Sequence, residues 1–396
     1  MIERDYRAWR TYPVRIGARE YQVATKPGVF SNGLLDPAAV LLAEHVTVAS
    51  GDTVVHLNCG NGLVSVVASI AAGAGRVVLA DRNVLSVAAA ERTLATNGVV
   101  NAQVMLAHGA AALSGEANAD VVAIRIPQER VALLQLLVNA FTILKPGGRC
   151  YIAGANNEGI KTAARTLEKL FGNARVLARD SSNRVISAVK RTATLPTDDE
   201  FLNPYLGPDA FHALDATLRG APYHFFSRPG VFSWDHSDEA TTILADAMQV
   251  DAGSSVLDLG CGYGVLGTVA ASLSGSGAIT MVDADVEAVR SARKSAEANG
   301  ATNFRVINSD IAGAVIDERF DVVVTNPPFH VGKATDLDVP TQFILDAWTV
   351  LNGGGRLFLV ANRTLPYERT IKQRFGNVAS LHDGPRFKVL TATRAG

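Results

Sequence analysis

The chain repeats itself at a fixed offset, and this limits its fold more than any other feature. Pro27-Gly28-Val29-Phe30-Ser31 recurs as Pro229-Gly230-Val231-Phe232-Ser233. Cys59-Gly60 and Gly62 recur as Cys261-Gly262 and Gly264, Asp81 as Asp283, and Asn97-Gly98 as Asn299-Gly300, each pair 202 positions apart. Further along the spacing drifts through small insertions. Asp120 pairs with Asp321, Gly147-Gly148-Arg149 with Gly354-Gly355-Arg356, and Phe171-Gly172-Asn173 with Phe375-Gly376-Asn377. Self-similarity of this kind means two copies of one domain. We expect a first copy over 1–195, a polar, proline-containing connection over 196–222, and a second copy over 223–396. A length of 396 residues suits two domains.

Each copy alternates short apolar runs with helix-like stretches. In the second, residues 255–259, 278–282, 304–307, 321–325, 356–360 and 387–391 read as strands. Helices are expected from Val265, over 286–299 and near 341–351. Strands alternating with helices predict an α/β, doubly wound, mainly parallel sheet that binds ligands at the strands' carboxyl ends.

The remaining composition excludes several classes. With 48% hydrophobic and 19% charged residues, the chain has material for sizeable cores and is not disordered. Lys plus Arg number 37 against 38 acids, so coating nucleic acid by bulk charge is not expected. Cys59, Cys150 and Cys261 lie far apart, which argues against a disulfide framework or a zinc site and for a reducing compartment. The charged start, Met1-Ile2-Glu3-Arg4-Asp5, does not open a signal peptide. The most apolar stretch, Gly62 to Ala80, is interrupted by Arg76 and makes a poor membrane span. A soluble, cytoplasmic protein without metal is the expectation.

Asp258-Leu-Gly260-Cys-Gly262-Tyr-Gly264 directly follows the first strand of the second copy and opens a helix. Glycines there let the backbone approach a ligand. Asp283, ending the second strand, is placed to accept from ribose hydroxyls, and Asp310, after the third, to contact a base edge. Gly262, Gly264 and Gly267 also spell G-x-G-x-x-G, so a nicotinamide dinucleotide competes. Asp258, however, would repel a pyrophosphate and suit an ammonium group. S-adenosylmethionine carries both ribose and ammonium. The plain alternative is a tight strand-to-helix turn without ligand.

Asn326-Pro327-Pro328-Phe329 follows strand four, facing the same place. It suits methylation of a planar exocyclic amine, whose lone pair is delocalised into its ring. The Asn326 side-chain oxygen and the Pro327 carbonyl can each accept one N–H and aim the lone pair at a methyl donor. The two prolines stiffen the turn. Phe329 offers a stacking face worth roughly 1–3 kcal/mol. Asn326 also borders the cofactor. His330 either positions the base or is structural, and Cys261 reads as a small residue in a tight turn. Trp234 and Phe225-Phe226 read as packing, although the segment before strand one is placed to cover the cofactor.

These pieces, with Pro229-Gly-Val-Phe-Ser233, Gly332, Val360-Ala-Asn362, Leu365-Pro-Tyr367 and Arg386-Phe-Lys-Val389, make residues 223–396 resemble the catalytic half of the small-subunit ribosomal RNA guanine-N2 methyltransferases. That family also carries two methyltransferase-like domains, so the resemblance spans essentially the whole chain. It implies tandem class I methyltransferase domains with a C-terminal antiparallel strand, S-adenosylmethionine as donor, and a guanine in 16S RNA within a small subunit or assembly intermediate. Pro328, His330, Arg386 and Lys388 become candidate substrate contacts. A sister group acting on 23S RNA shares the architecture, and the tetrad alone is shared with adenine-N6 and glutamine methyltransferases. A nicotinamide-dependent oxidoreductase and a non-catalytic RNA-binding assembly factor are the other rivals.

The first copy departs from the pattern. His56-Leu-Asn58 replaces Asp258-Leu-Gly260, His108-Gly109 lies near Asp310's position, and Arg125-Ile-Pro-Gln128 replaces the tetrad. We expect this copy neither to bind donor well nor to transfer methyl groups. Residues 121–195 carry 12 basic and 4 acidic side chains and residues 353–396 carry 8 and 2, whereas 196–350 carry 8 and 22. The basic segments are candidates to hold RNA phosphates, or are simply solvated faces.

Overall fold

Val- and Ile-rich runs bounded by glycine turns become the strands of two seven-stranded sheets, one per repeat. The computed structural model describes residues 5–31, 34–109, 118–328 and 338–396. It divides into Arg7–Ala210, and Phe211–Gly396 together with Asp5 and Tyr6.

In the first unit, β1 (Arg10–Ile16) and β2 (Arg19–Thr25) precede α1 (Pro37–His45), β3 (Val54–Leu57), α2 (Leu63–Ala72), β4 (Val77–Asp81), α3 (Val84–Thr96) and β5 (Ala102–Leu106). Next come β6 (Ala119–Arg125), α4 (Arg130–Ile143), β7 (Leu144–Ala155), α5 (Ile160–Phe171), β8 (Arg175–Arg179) and β9 (Asn183–Val189). The second unit opens with β10 (His212–Leu218), β11 (Ala221–Ser227), α6 (Glu239–Ala247), β12 (Val256–Leu259), α7 (Val265–Ser274), β13 (Ile279–Asp283), α8 (Val286–Ala298) and β14 (Phe304–Asn308). It ends with β15 (Phe320–Thr325), α9 (Asp338–Val350), β16 (Leu351–Asn362), α10 (Tyr367–Phe375), β17 (Ala379–Asp383) and β18 (Phe387–Thr393).

The sheet orders match strand for strand: β5-β4-β3-β6-β7-β9-β8 and β14-β13-β12-β15-β16-β18-β17. The strands from β12 through β16 pair in parallel, and β18 runs antiparallel to both neighbours. This is the expected doubly wound α/β fold with its antiparallel terminal strand. All four residues of β12 are buried, because helices cover both faces of a parallel sheet. Chain order reverses between β12 and β15, and ligands bind at the carboxyl side of such a switch point.

Elements that the residue patterns left unmarked frame this core. The hairpins β1–β2 and β10–β11 lie on α3 and α8 and are stapled there alike. Asn97 caps α3 and exchanges two hydrogen bonds with the Gln22 backbone, and Asn299 does the same for α8 and His224. The stretch expected as a connection is structured on both sides of Ala210. Phe201 is buried in the first unit's core and Glu200 bonds Thr166, while His212–Leu218 is already strand β10.

The repeated Pro-Gly-Val-Phe-Ser segment folds identically in both units. Val29 N–H reaches the Lys26 carbonyl and Val231 N–H the Arg228 carbonyl, both at 3.1 Å, and Gly28 and Gly230 take φ of 89° and 84°. Proline followed by a left-handed glycine defines a type II turn. Ser31 and Ser233 then turn left-handed as well.

Candidate active site

The glycine loop leaves β12 and the Asn-Pro-Pro turn leaves β15, so both sit at the switch point. The Thr325 hydroxyl donates to the Leu259 carbonyl at 2.7 Å, locking the two strand ends together.

Asn326 is held on one side only. Its amide nitrogen donates to Asp238 Oδ2 at 3.1 Å and to Thr241 Oγ1 at 2.9 Å. A carboxylate only accepts hydrogen bonds, so Asp238 fixes which end of the amide faces it. The Asn326 oxygen must point away; it is buried and has no partner among the described residues. Asp238 is itself fixed as the N-cap of α6, accepting from Thr241 N–H and from the Thr241 hydroxyl. Sequence reading missed both residues. The usable signal was the register, since Asp36 caps α1 at the position equivalent to Asp238.

The loop is built on carboxylates. Asp283 accepts from Gly262 N–H at 2.8 Å and Asp285 N–H at 3.0 Å, so it shapes the loop besides facing it. Asp258 is fully buried and accepts from Gly267 N–H in the first turn of α7 at 2.7 Å, while its Oδ1 has no partner among the described residues. Burial, with the Asp283 charge adding to it, pushes the Asp258 carboxyl up to about 7. Gly264 takes φ of 88° and lies so near α8 that a Cβ would meet Ala292 at 2.9 Å. Gly260 is left-handed too, against the Phe343 ring. Asp310 accepts a 2.7 Å hydrogen bond from the hydroxyl of Tyr6, a buried residue from the far end of the chain. Burial, then Asp283 and Asp258, drives the Cys261 thiol well up, so it is a packed neutral group.

Pro327 is buried and Pro328 exposed; Phe329 and His330 lie outside the described residues. Arg386 ion-pairs with Glu239, the residue after Asp238, and so stands at the rim. Lys388 is 7% exposed and bonded to Glu368 at 2.5 Å, which ties α10 to β18 instead of presenting a free charge. Phe225 is buried between Tyr223 and Tyr263, and Trp234 packs on the same core. Among the described residues no group of three or more His, Cys, Asp or Glu is arranged for a metal, and no helix is long and apolar enough to cross a membrane.

The first repeat replaces this machinery with other polar contacts, although His56 Nε2 is buried without a partner among the described residues. His56 takes Asp258's place and Ser65 takes Gly267's, and the two share a 2.7 Å hydrogen bond where carboxylate met backbone. Asn58 takes Gly260's left-handed place at φ 55° and donates to the Arg125 carbonyl. Asp81 still accepts from Gly60 and Asn83 N–H, so its survival is explained by loop geometry alone. Arg125, at Asn326's position, is buried and paired with Asp36 and Glu158.

In the second repeat the residues fit S-adenosylmethionine. A buried, unpartnered Asp258 oxygen suits a cationic group, and glycine backbone lies where the ligand must pass. The fold and this site define a class I methyltransferase domain present twice, the residues expected at an active site being kept in one copy. The model of the methyltransferase small domain matches residues 20–187 and 222–391. A ribosomal RNA small subunit methyltransferase C from Hahella chejuensis is 33% identical over 284 residues, 72% of this chain and 80% of the relative. One from Chromohalobacter salexigens is 35% identical over 256 residues, 63% and 71% of the two chains. The structure of T. thermophilus 16S rRNA N2 G1207 methyltransferase, in complex with AdoMet and guanosine, superposes with a TM-score of 0.81 at 31% identity, covering 97% of this chain and 98% of that one. The chain belongs to the methyltransferase small domain family, within the group of ribosomal RNA small subunit methyltransferase C.

Proposed function

We propose that this protein is an S-adenosylmethionine-dependent methyltransferase that modifies the exocyclic N2 of a guanine in 16S ribosomal RNA. The observation that carries the reading is the buried Asn326 oxygen, turned away from Asp238 and left without a partner among the described residues. An unsatisfied buried acceptor costs about 1–3 kcal/mol, so its place in the fold calls for a donor supplied by substrate. An exocyclic amine supplies one. Asn326 accepts one N–H and the Pro327 carbonyl the other, which aims the nitrogen lone pair and stabilises charge developing there. Phe329 stacks the base, with Pro328, His330 and Arg386 as further substrate contacts. Lys388 supports the strand that carries Arg386. When bound, S-adenosylmethionine supplies an electrophilic methyl group. Asp258, Gly260, Gly262, Gly264, Asp283, Asp310 and Asn326 line its place.

The first repeat, residues 1–195 and the stretch from there to Ala210, supports RNA binding or folding. The substrate is a small subunit or assembly intermediate in the cytoplasm, with the target base exposed or flipped. Nucleoside mass spectrometry tests the reading. Ribosomal subunits from a strain lacking the protein are incubated with it and labelled donor, then digested. Labelled N2-methylguanosine in the small subunit is expected. Label in the large subunit, in another base or in protein would overturn it.

A further inference from the structure

The first repeat holds a planar guanidinium where the second repeat needs a planar substrate. Arg125 replaces Asn326, and its head is fixed by two carboxylates and a carbonyl. Nε donates to Asp36 Oδ2 at 2.8 Å, Nη1 pairs with Glu158 at 2.8 Å, Nη2 reaches both carboxylates, and Nη1 also donates to the Ile126 carbonyl at 3.2 Å. Ile126 stands where Pro327 stands, so this carbonyl is the counterpart of the proposed amine acceptor. The guanidinium carbon lies 5.5 Å from the centre of the Phe30 ring, within cation–π range. The N1–C2(N2)–N3 unit of guanine has the same planar N–C(N)–N skeleton.

Phe30 has a counterpart in Phe232. Both follow the same type II turn, both precede a left-handed serine, and both lead into a helix capped by the equivalent aspartates Asp36 and Asp238. In the second repeat the shorter Asn326 stands at Arg125's position and brings no guanidinium to the ring. Phe232 is 59% exposed, against 48% for Phe30, so its ring is open to a partner.

We infer that Phe232 is a stacking face for the target guanine, and that Arg125 over Phe30 occupies the corresponding place in the first repeat and closes it. This deepens the proposed guanine-N2 reading and rests on it. The catalytic repeat then grips its base by two features of one constellation, N–H acceptors at Asn326 and Pro327 and an aromatic surface supplied by the turn before α6. The duplicated repeat fills the same constellation with its own side chain.

The test uses the full chain saturated with S-adenosylhomocysteine, titrated calorimetrically with guanosine and with adenosine, alongside methylation kinetics on small subunits. Phe232→Ala and Phe232→Leu are expected to weaken guanosine binding and raise the subunit KM by roughly five- to a hundredfold, as loss of one base stack would. Phe232→Trp restores both, and donor affinity and thermal unfolding are unchanged in all three. Guanosine affinity and KM unaltered in Phe232→Ala would overturn the assignment. Wild-type protein that methylates no guanine and does not prefer guanosine to adenosine would instead sink the underlying reading, whatever Phe232 does.

Discussion

Asn326 is satisfied at one end only: its amide nitrogen is held by Asp238 and Thr241, and its oxygen, the proposed acceptor for the substrate amine, has no partner among the described residues. Asn326→Ala should lower kcat by roughly two to three orders of magnitude, the usual cost of removing one preorganised polar group, a far larger effect than on donor affinity. Asp238→Asn permits either amide orientation in Asn326. It should lower kcat while leaving donor affinity near wild type, as single-turnover rates and donor titration would show. An unchanged rate in Asp238→Asn would mean that Asn326 needs no orienting partner. Asn326 was legible in sequence because its chemistry is carried by adjacent residues. Its two holders were not, since they lie 88 and 85 positions away, and the Tyr6 hydroxyl on Asp310 spans 304. Local pattern carries no trace of such pairings unless a repeat shows them twice.

At the next scale, equivalent elements of the two repeats hold opposite titrations. Asp258 on β12 is pushed from the ordinary carboxyl value of 3.8 to about 7 by burial and then by Asp283. It contributes stability below pH 4 that is lost as pH rises through 7. His56, at the same place on β3, is pushed by burial from 6.5 to about 3. Its contribution is full above 6.5 and is lost as pH falls towards 3. Between about pH 4 and 7, Asp258→Asn should therefore remove a fall in stability with rising pH, and between about pH 3 and 6.5 His56→Gln should remove a rise; parallel curves for wild type and variants would refute this. Gly264→Ala drives a Cβ into Ala292 at a left-handed position, so it should displace the loop from α8 and abolish donor binding. Central strands such as β12 and β15 were readable because burial on both faces enforces runs of Val, Leu and Ile. The edge strand β17 does not alternate and exposes most of its residues, so it resembles a loop, whereas Leu214 to Leu218 in β10 alternates apolar and polar residues and its signal was missed.

For the whole molecule, near-zero net charge conceals a basic segment over 121–195 in the first unit. Arg165, Arg175 and Arg179 are exposed there on α5 and β8. Reversing all three to Glu should weaken RNA binding and reduce its salt dependence, by about one unit of slope for each phosphate no longer neutralised. Unchanged affinity at physiological salt would leave that face a solvated surface. Donor titration of the full chain should give one site per molecule, because the first repeat has exchanged Asp258, Gly260 and Asn326 for His56, Asn58 and Arg125. The duplication itself was plain from its register, whereas the fate of the connecting stretch was not, because Phe201 anchors it by packing that its polar neighbours conceal. The three thiols, finally, are all buried, Cys59 and Cys150 in the first unit and Cys261 in the second. A small alkylating reagent can reach each only when its own unit opens. Counting which cysteine is labelled first, peptide by peptide, turns the chain into its own clock for asking whether the retired copy outlasts the working one.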